Sequence, residues 1–385
     1  MTTLNLNNKI HIAQVIADRN PVPYLNWFAQ KSVNDPNIRF SFIFLNENCD
    51  SIFETMSEWD AKVYHIPFEF NNTRKSIATS YFALKKLFRK IKPQIVHSHL
   101  FYDGISATLA ARHAGVKVRI HTKQSTGINW QENKWAVKID RWMNRKNTHL
   151  IAVSAECREF MIQQERCNPN KIVLIHHGIN PDELTSFTKE DMETVKKLIQ
   201  FRNEKIILNL SRCVPWKNQK DIILASHFLQ SDFPDAKFIC AGQGPLLEDL
   251  KSMVKENKLN EKVIFTGNID KKLIPALFAI SDVYLHAAKM EPFGFVIPEA
   301  MFNKVPIVST PTGSARDGIT HLESGYLASY DDPASLAAGV KFMLTLNENK
   351  IMHLTSNALA NAQNLYHIDV MYRNTVHLYH NALNS

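Results

Sequence analysis

The chain has 385 residues, 45% of them apolar, and 45 Lys and Arg stand against 37 Asp and Glu for a net charge of +8. That length exceeds what one core encloses, so two domains of roughly 150 to 200 residues each are expected. The absence of any uncharged apolar run of about 18 residues argues against a spanning helix, and the opening MTTLNLNNK is not patterned as a secretory signal.

Short apolar runs alternate with longer amphipathic segments along nearly the whole chain. Lys9–Ile16, Phe40–Leu45, Lys62–Ile66, Gln94–His97, Val116–His121, Ile151–Ser154 and Lys171–His176 read as strands, with helical patterns between most of them. A polar segment, Gly178–Asp191, follows, and the pattern then restarts with Lys205–Leu210, Lys237–Ala241, Lys262–Thr266, Asp282–Leu285 and Val305–Ser309. Strands rich in Ile and Val that alternate with helices predict parallel sheets covered on both faces. Two such series around a polar linker predict an α/β chain of two Rossmann-like domains facing across a cleft, with ligands at the carboxyl ends of the strands. The last segment, residues 366–380, reads as a packing helix with Tyr366, Val370, Tyr372, Val376 and Tyr379 among its larger positions.

Charge is unevenly spread: residues 1–185 hold 24 Lys and Arg against 16 Asp and Glu, whereas 186–385 hold 21 of each. Such a field favours an anionic membrane surface or an acidic substrate. No nucleic-acid reading motif accompanies it, so nucleic acid is not expected as a partner. Residues 74–93 pattern as a basic amphipathic helix, with Ile77, Tyr81, Leu84, Phe88 and Ile91 on one stripe and Lys85, Lys86, Arg89 and Lys90 on the polar side. An ordinary covering helix accounts for this pattern, and the charge asymmetry adds the membrane reading. Five scattered cysteines, Cys49, Cys157, Cys167, Cys213 and Cys240, form no C-x-x-C pair. They fit reduced thiols in a cytoplasm and give no metal framework.

Four polar loops at strand ends carry the candidate chemistry of the second half. In 208-LNLSRCVPWKNQKDIILA-225, Arg212 and Lys217 lie beyond a strand and just before a helix, an arrangement that suits a phosphate or diphosphate and equally a solvated basic turn. Gly242 and Gly244 in 238-FICAGQGPLLEDL-250 permit close approach to a ligand, or simply a turn. In 291-EPFGFVIPEAM-301, Pro298 is expected to open a helix with Glu299 in its first turn, while Glu291 precedes a Pro-Phe-Gly turn where a carboxylate can take sugar hydroxyls. Gly313 in 311-PTGSARDG-318 adds another close-approach position. In the first half His97, His99 and His121 end strands; His97 reads as structural, and His121, followed by Thr122, Lys123 and Gln124, as better placed for substrate. No HExxH-like spacing supports a metal.

These pieces together resemble the retaining nucleotide-sugar glycosyltransferases of the GT-B fold, specifically glycosyltransferase family 4. SRCVPWKNQKDIILA is similar to the family's G-R-x-x-x-x-K-G loop, CAGQGPL to its G-x-G-P-L turn, and EPFGFVIPEAM to its E-x7-E signature. VIFTGNI with LIPALFAISDVYLHAA resembles the strand and helix before that signature. The resemblance implies that Arg212 and Lys217 bind the donor diphosphate and Glu299 the ribose. It places Glu291 at the donor sugar with backbone contacts from Phe293, Gly294, Phe295 and Val296, and His121 beside the transferred sugar as the other catalytic position. The base is expected near Gly242, Gly244 and Phe265.

It further implies an acceptor domain over 1–184 completed by a crossover helix at 365–385, and a donor domain over 185–364. The expected activity is transfer of a sugar from a nucleotide diphosphate-sugar to an acceptor hydroxyl, with retention, without a cofactor or obligatory metal. The acceptor is expected to be a saccharide, such as a lipid-linked saccharide of surface-polysaccharide assembly, with the protein cytoplasmic and peripheral on the inner face of the membrane. A nucleotide-sugar 2-epimerase and a non-catalytic nucleotide-sugar binder are the alternatives. Departures from the pattern are a first loop without glycine, 17-ADRNPVPYLNW-27, Ser211 for a glycine, His177 before Gly178 for an asparagine, and Asp317 for a glutamate.

Overall fold

A computed structural model describes residues 9–18, 23–33, 35–48, 62–127 and 134–384. The opening eight residues, Cys49 and positions 19–22 of the first loop lie outside them. The chain divides into two compact units, the described residues within Met1–Gly178 and Ile368–Ser385 forming one and Ile179–His367 the other.

The first unit is built on seven parallel strands: β1 (Ile10–Ile16), β2 (Ile38–Asn46), β3 (Lys62–Pro67), β4 (Ile95–Ser98), β5 (Val118–Lys123), β6 (His149–Ala152) and β7 (Ile172–Leu174). Their order is β3-β2-β1-β4-β5-β6-β7. β1 is all but fully buried, as are β4 and β5, which explains why they read as apolar runs rather than alternating ones. The helices Thr73–Ile91 and Phe101–His113 cover one face through a core of Leu84, Phe88, Ala107, Ala110 and Ala111.

The second unit repeats the plan with β8 (Ile206–Leu210), β9 (Lys237–Ala241), β10 (Val263–Gly267), β11 (Val283–His286), β12 (Ile307–Ser309) and β13 (Tyr326–Leu327), in the order β10-β9-β8-β11-β12-β13. All pairings are parallel. Strand β13 has two residues, too few for periodicity to reveal. In both sheets the order reverses beside the first strand, between β1 and β4 and between β8 and β11. Loops leaving neighbouring strands part there, and a crevice opens at the carboxyl ends.

The expected terminal helix over 366–380 is instead the junction of two helices, Glu348–Tyr366 and Ile368–Asn384, broken at an extended His367. Tyr366 is tied to the second unit, donating its hydroxyl to the Ser314 carbonyl at 2.7 Å. The final helix belongs to the first unit. Its Tyr379 hydroxyl accepts from Gln14 Nε2 at 2.7 Å, Tyr372 donates to Asp35 at 2.9 Å, and Asp369 pairs with Lys31 at 2.8 Å.

Candidate functional site

In the second unit the loop after β8 is held by its neighbour after β9. Ser211 N donates to the Ala241 carbonyl and Cys213 N to that of Gln243, both at 3.0 Å. A Cβ on Gly242, whose φ is +138°, would lie 2.1 Å from Ser211 O, and one on Gly244 would lie 2.3 Å from Cys213 O. Close approach is therefore what these glycines provide, and in this structure the approach is to the chain's own backbone, the turn that the sequence also allowed.

Gln219 adds a second brace, its amide donating to Arg212 O at 2.8 Å and Ser211 Oγ at 2.7 Å. The Arg212 backbone is thus fixed while its side chain is exposed on an open cavity of about 560 Å³ shared with Gln243, Gly244, Leu247 and Asn268. Phe265 is half-buried and packs against the unit's core beside that loop.

Lys217 closes a short 3-10 turn, and Asn218 in the left-handed region (φ 53°) leads into the helix Gln219–Phe228. The Lys217 ammonium is ion-paired with Glu291 Oε2, each side chain being 14% exposed. Two residues read as separate contacts, one for phosphate and one for sugar, therefore meet. Partly buried opposite charges satisfy each other.

Gly294 (φ +82°) lets the 291–294 loop curl over Glu291, since a Cβ there would lie 2.8 Å from Glu291 Cγ. Gly313 lies under the same loop: Ser314 N donates to Phe293 O at 2.6 Å and Ser314 Oγ to Gly294 O at 2.9 Å. Phe293 is buried edge-on against Tyr366, with ring centroids 5.5 Å apart. The following helix is Val296–Phe302, with Phe295 as its cap, so Pro298 is its third residue rather than its first; Glu299 stays in the first turn. Glu299 is half-buried, and burial pushes its carboxyl up to about 7 against an opposing pull from Lys271.

In the first unit a cavity of about 310 Å³ opens at the β1/β4 switch, lined among others by Asp18, His99, His121, Lys123, Gln124 and Asp140. His121 is buried, its Nδ1 2.9 Å from Ser98 Oγ. Burial, with Lys123 and His99 nearby, holds its pKa down to about 3, so the ring is neutral. His97 has both ring nitrogens occupied, by Tyr379 and Thr122 at 2.7 Å each, which makes it structural as its sequence context implied.

Three groups have a part that the sequence did not assign them, although it pointed to His99 and Lys123 as neighbours of strand ends. His99 lines the cavity and bonds Gln14 Oε1 through Nε2 at 2.6 Å. Lys123 is buried between Asp140, 3.0 Å away, and Glu165, carboxylates that keep it charged against the cost of burial. His286 ends β11 one residue past the predicted strand, behind Glu291. Among the described residues no cluster of three metal-ligating side chains forms.

Two Rossmann-like units of one strand order, the last helix returned to the first unit, define the GT-B fold of glycosyltransferases. The chain belongs to glycosyltransferase family 4: the profile "Glycosyltransferase Family 4" matches residues 42–183 and "Glycosyl transferases group 1" matches 191–360. A relative in Saccharomyces cerevisiae, the phosphatidylinositol N-acetylglucosaminyltransferase GPI3 subunit, is 25% identical over 72% of this chain and 61% of its own. The chain thus spans about three-fifths of that relative's length. The Escherichia coli UDP-Gal:alpha-D-GlcNAc-diphosphoundecaprenol alpha-1,3-galactosyltransferase is 25% identical over 73% of each chain. Among solved structures, Anabaena HepE in complex with UDP and glucose superposes with a TM-score of 0.79 at 17% identity, covering 96% of this chain and 100% of its own.

Proposed function

We propose that this protein moves a sugar, with retention, from a nucleoside diphosphate-sugar to an acceptor hydroxyl, the acceptor being a lipid-linked saccharide of surface-polysaccharide assembly. The observation that carries the reading is the Lys217–Glu291 pair, which joins the loop after β8, where Arg212 also lies, to the segment after the adjacent strand β11 that runs into the helix bearing Glu299, at the switch point of one sheet. The second unit is the donor domain and the first the acceptor domain.

The chemical burden is the charge of the departing diphosphate, and two cations, Lys217 partly desolvated and Arg212 exposed on a braced backbone, lower its cost without an obligatory metal. Lys217 exchanges Glu291 for the diphosphate. Glu291, released, takes the sugar hydroxyls, and Glu299 takes those of the ribose. His121, neutral and held by Ser98, serves the transferred sugar as a hydrogen-bonding group rather than a cation. The Escherichia coli and yeast relatives, whose names give them lipid acceptors, support the acceptor class.

A peripheral site on the inner face of the membrane, in the cytoplasm, is supported by the helix Thr73–Ile91, whose exposed side sets Phe82 (66% exposed) among Lys75, Lys86, Arg89 and Lys90. The test is nucleoside diphosphate release from a panel of donors, with Arg212→Ala and Lys217→Ala alongside. Both variants should lose most of the release, and unchanged release in both would remove the phosphate assignment.

A further inference from the structure

His286 sits at the carboxyl end of β11, 2% exposed, and its Nε2 is buried without a hydrogen-bond partner among the described residues. Leaving such an atom unpaired is costly, so it needs a reason. Its position supplies one: Nε2 lies 4.0 Å from Glu291 Oε2, the oxygen that also receives Lys217.

The rest of the ring is fixed. The Tyr284 hydroxyl donates to the Leu210 carbonyl at 3.4 Å and also stands 3.3 Å from Nδ1, and the two rings stack at 23°. Thr310 N donates to the His286 carbonyl at 3.0 Å, which anchors the strand end. Burial, and then the nearby Lys217 charge, holds the imidazole well below its usual pKa, so the ring is neutral and carries one proton. A lone pair on Nε2 would face a carboxylate oxygen, whereas an N–H there is attracted to it. With the Tyr284 hydroxyl proton shared between the Leu210 carbonyl and Nδ1, Nδ1 is an acceptor and the ring's own proton falls on Nε2.

We propose that His286 is a positioning residue for Glu291: when the donor diphosphate draws Lys217 away, the Nε2–H of His286 becomes the carboxylate's protein partner and aims it at the sugar hydroxyls. The assignment rests on the donor-site reading above. In the free protein the ammonium holds Glu291; in the donor complex the imidazole does. A neutral donor suits the second role, because it orients the carboxylate without cancelling the charge that accepts the hydroxyls.

The test compares His286→Gln, whose amide N–H can occupy the Nε2 position, with His286→Leu, which keeps the volume and removes the donor. Melting curves establish that each variant is folded. His286→Leu should lower kcat about tenfold or more while donor KM and product inhibition stay within about twofold, and His286→Gln should recover most of kcat. Wild-type kcat in the Leu variant, an equal loss in both variants, or a loss confined to donor KM would overturn the proposal.

Nitrogen-15 NMR of the histidine ring in the unliganded wild-type protein gives a second arm independent of turnover. A proton on Nε2 is expected, and one on Nδ1 would refute the assignment. Wild-type protein that turns over no donor at all would refute the glycosyl-transfer reading, and the NMR arm would still decide the tautomer.

Discussion

Replacing Glu299 by Gln should make the ligand-free protein more stable and its donor complex weaker, and these opposite signs are the test of its role. Burial raises the Glu299 carboxyl from 4.5 to about 7, Lys271 opposing. A carboxyl raised by folding favours the folded state fully below its unfolded pKa and loses that contribution as pH rises through the folded one, here between 4.5 and about 7. At pH 8 the stability forgone is on the order of 3 kcal/mol. Glu299→Gln removes the titration and should raise Tm at pH 8 by roughly 4 to 8 °C, with little change at pH 4.

Only the ionised carboxylate accepts two ribose hydroxyls, so the wild-type donor Kd should rise about tenfold between pH 8 and pH 6 as the ionised fraction falls. An intact nucleotide-sugar is a diphosphate diester and does not titrate there, so the slope belongs to the protein. Melting curves from pH 4 to 9 and calorimetric donor titrations at pH 6, 7 and 8 measure both effects. A Glu299→Gln protein that melts lower at pH 8, or a wild-type Kd that is flat with pH, would refute the reasoning.

Lys217→Ala leaves the partly buried Glu291 without its cation and should cost about 1 to 3 kcal/mol in denaturant unfolding; adding Glu291→Gln should restore the stability but not the donor affinity. Gly242→Ala places a Cβ 2.1 Å from the Ser211 carbonyl at a φ of +138°, so it should destabilise the second unit by several kcal/mol, read as a large fall in that unit's Tm. His97, His99, His121 and His177 are all held neutral by burial, with pKa values depressed below the 6.5 of the unfolded chain. Stability they contribute above that value is lost as pH falls, by about 5 kcal/mol in total at pH 5.5, so the first unit should unfold in mild acid, well before carboxylates protonate. Lys123→Met strands Asp140 and Glu165 in the same unit and should cost about 3 to 5 kcal/mol in urea unfolding.

Most of the architecture was legible because parallel strands buried on both faces must be apolar, and runs such as IHIAQVI and FSFIFL, short and rich in β-branched and aromatic residues, suit little else than such a strand. The strand-end loops were legible for a related reason, since glycine, proline and charge interrupt those runs at one end of each sheet. What could not be read was pairing. Nothing in sequence spacing sets Lys217 against Glu291, 74 positions apart, or joins Lys123 to Glu165 through a fold that closes around them. His286 was hidden because a histidine closing an apolar strand looks like any buried residue, and its meaning comes from an unpaired nitrogen near Glu291. Tyr366 was misplaced because helical periodicity runs on through His367, whereas tertiary contacts to Ser314 and Phe293 fix it in the other unit.

Sugar transfer to a lipid-linked hydroxyl is tested by supplying the protein with a donor carrying a labelled sugar and with lipid-linked saccharides extracted from membranes. Label is expected in the lipid fraction, joined by a glycosidic bond of the same anomeric configuration as the donor and absent with Lys217→Ala. Label found only as free sugar, or only in an epimerised nucleotide-sugar, would contradict it.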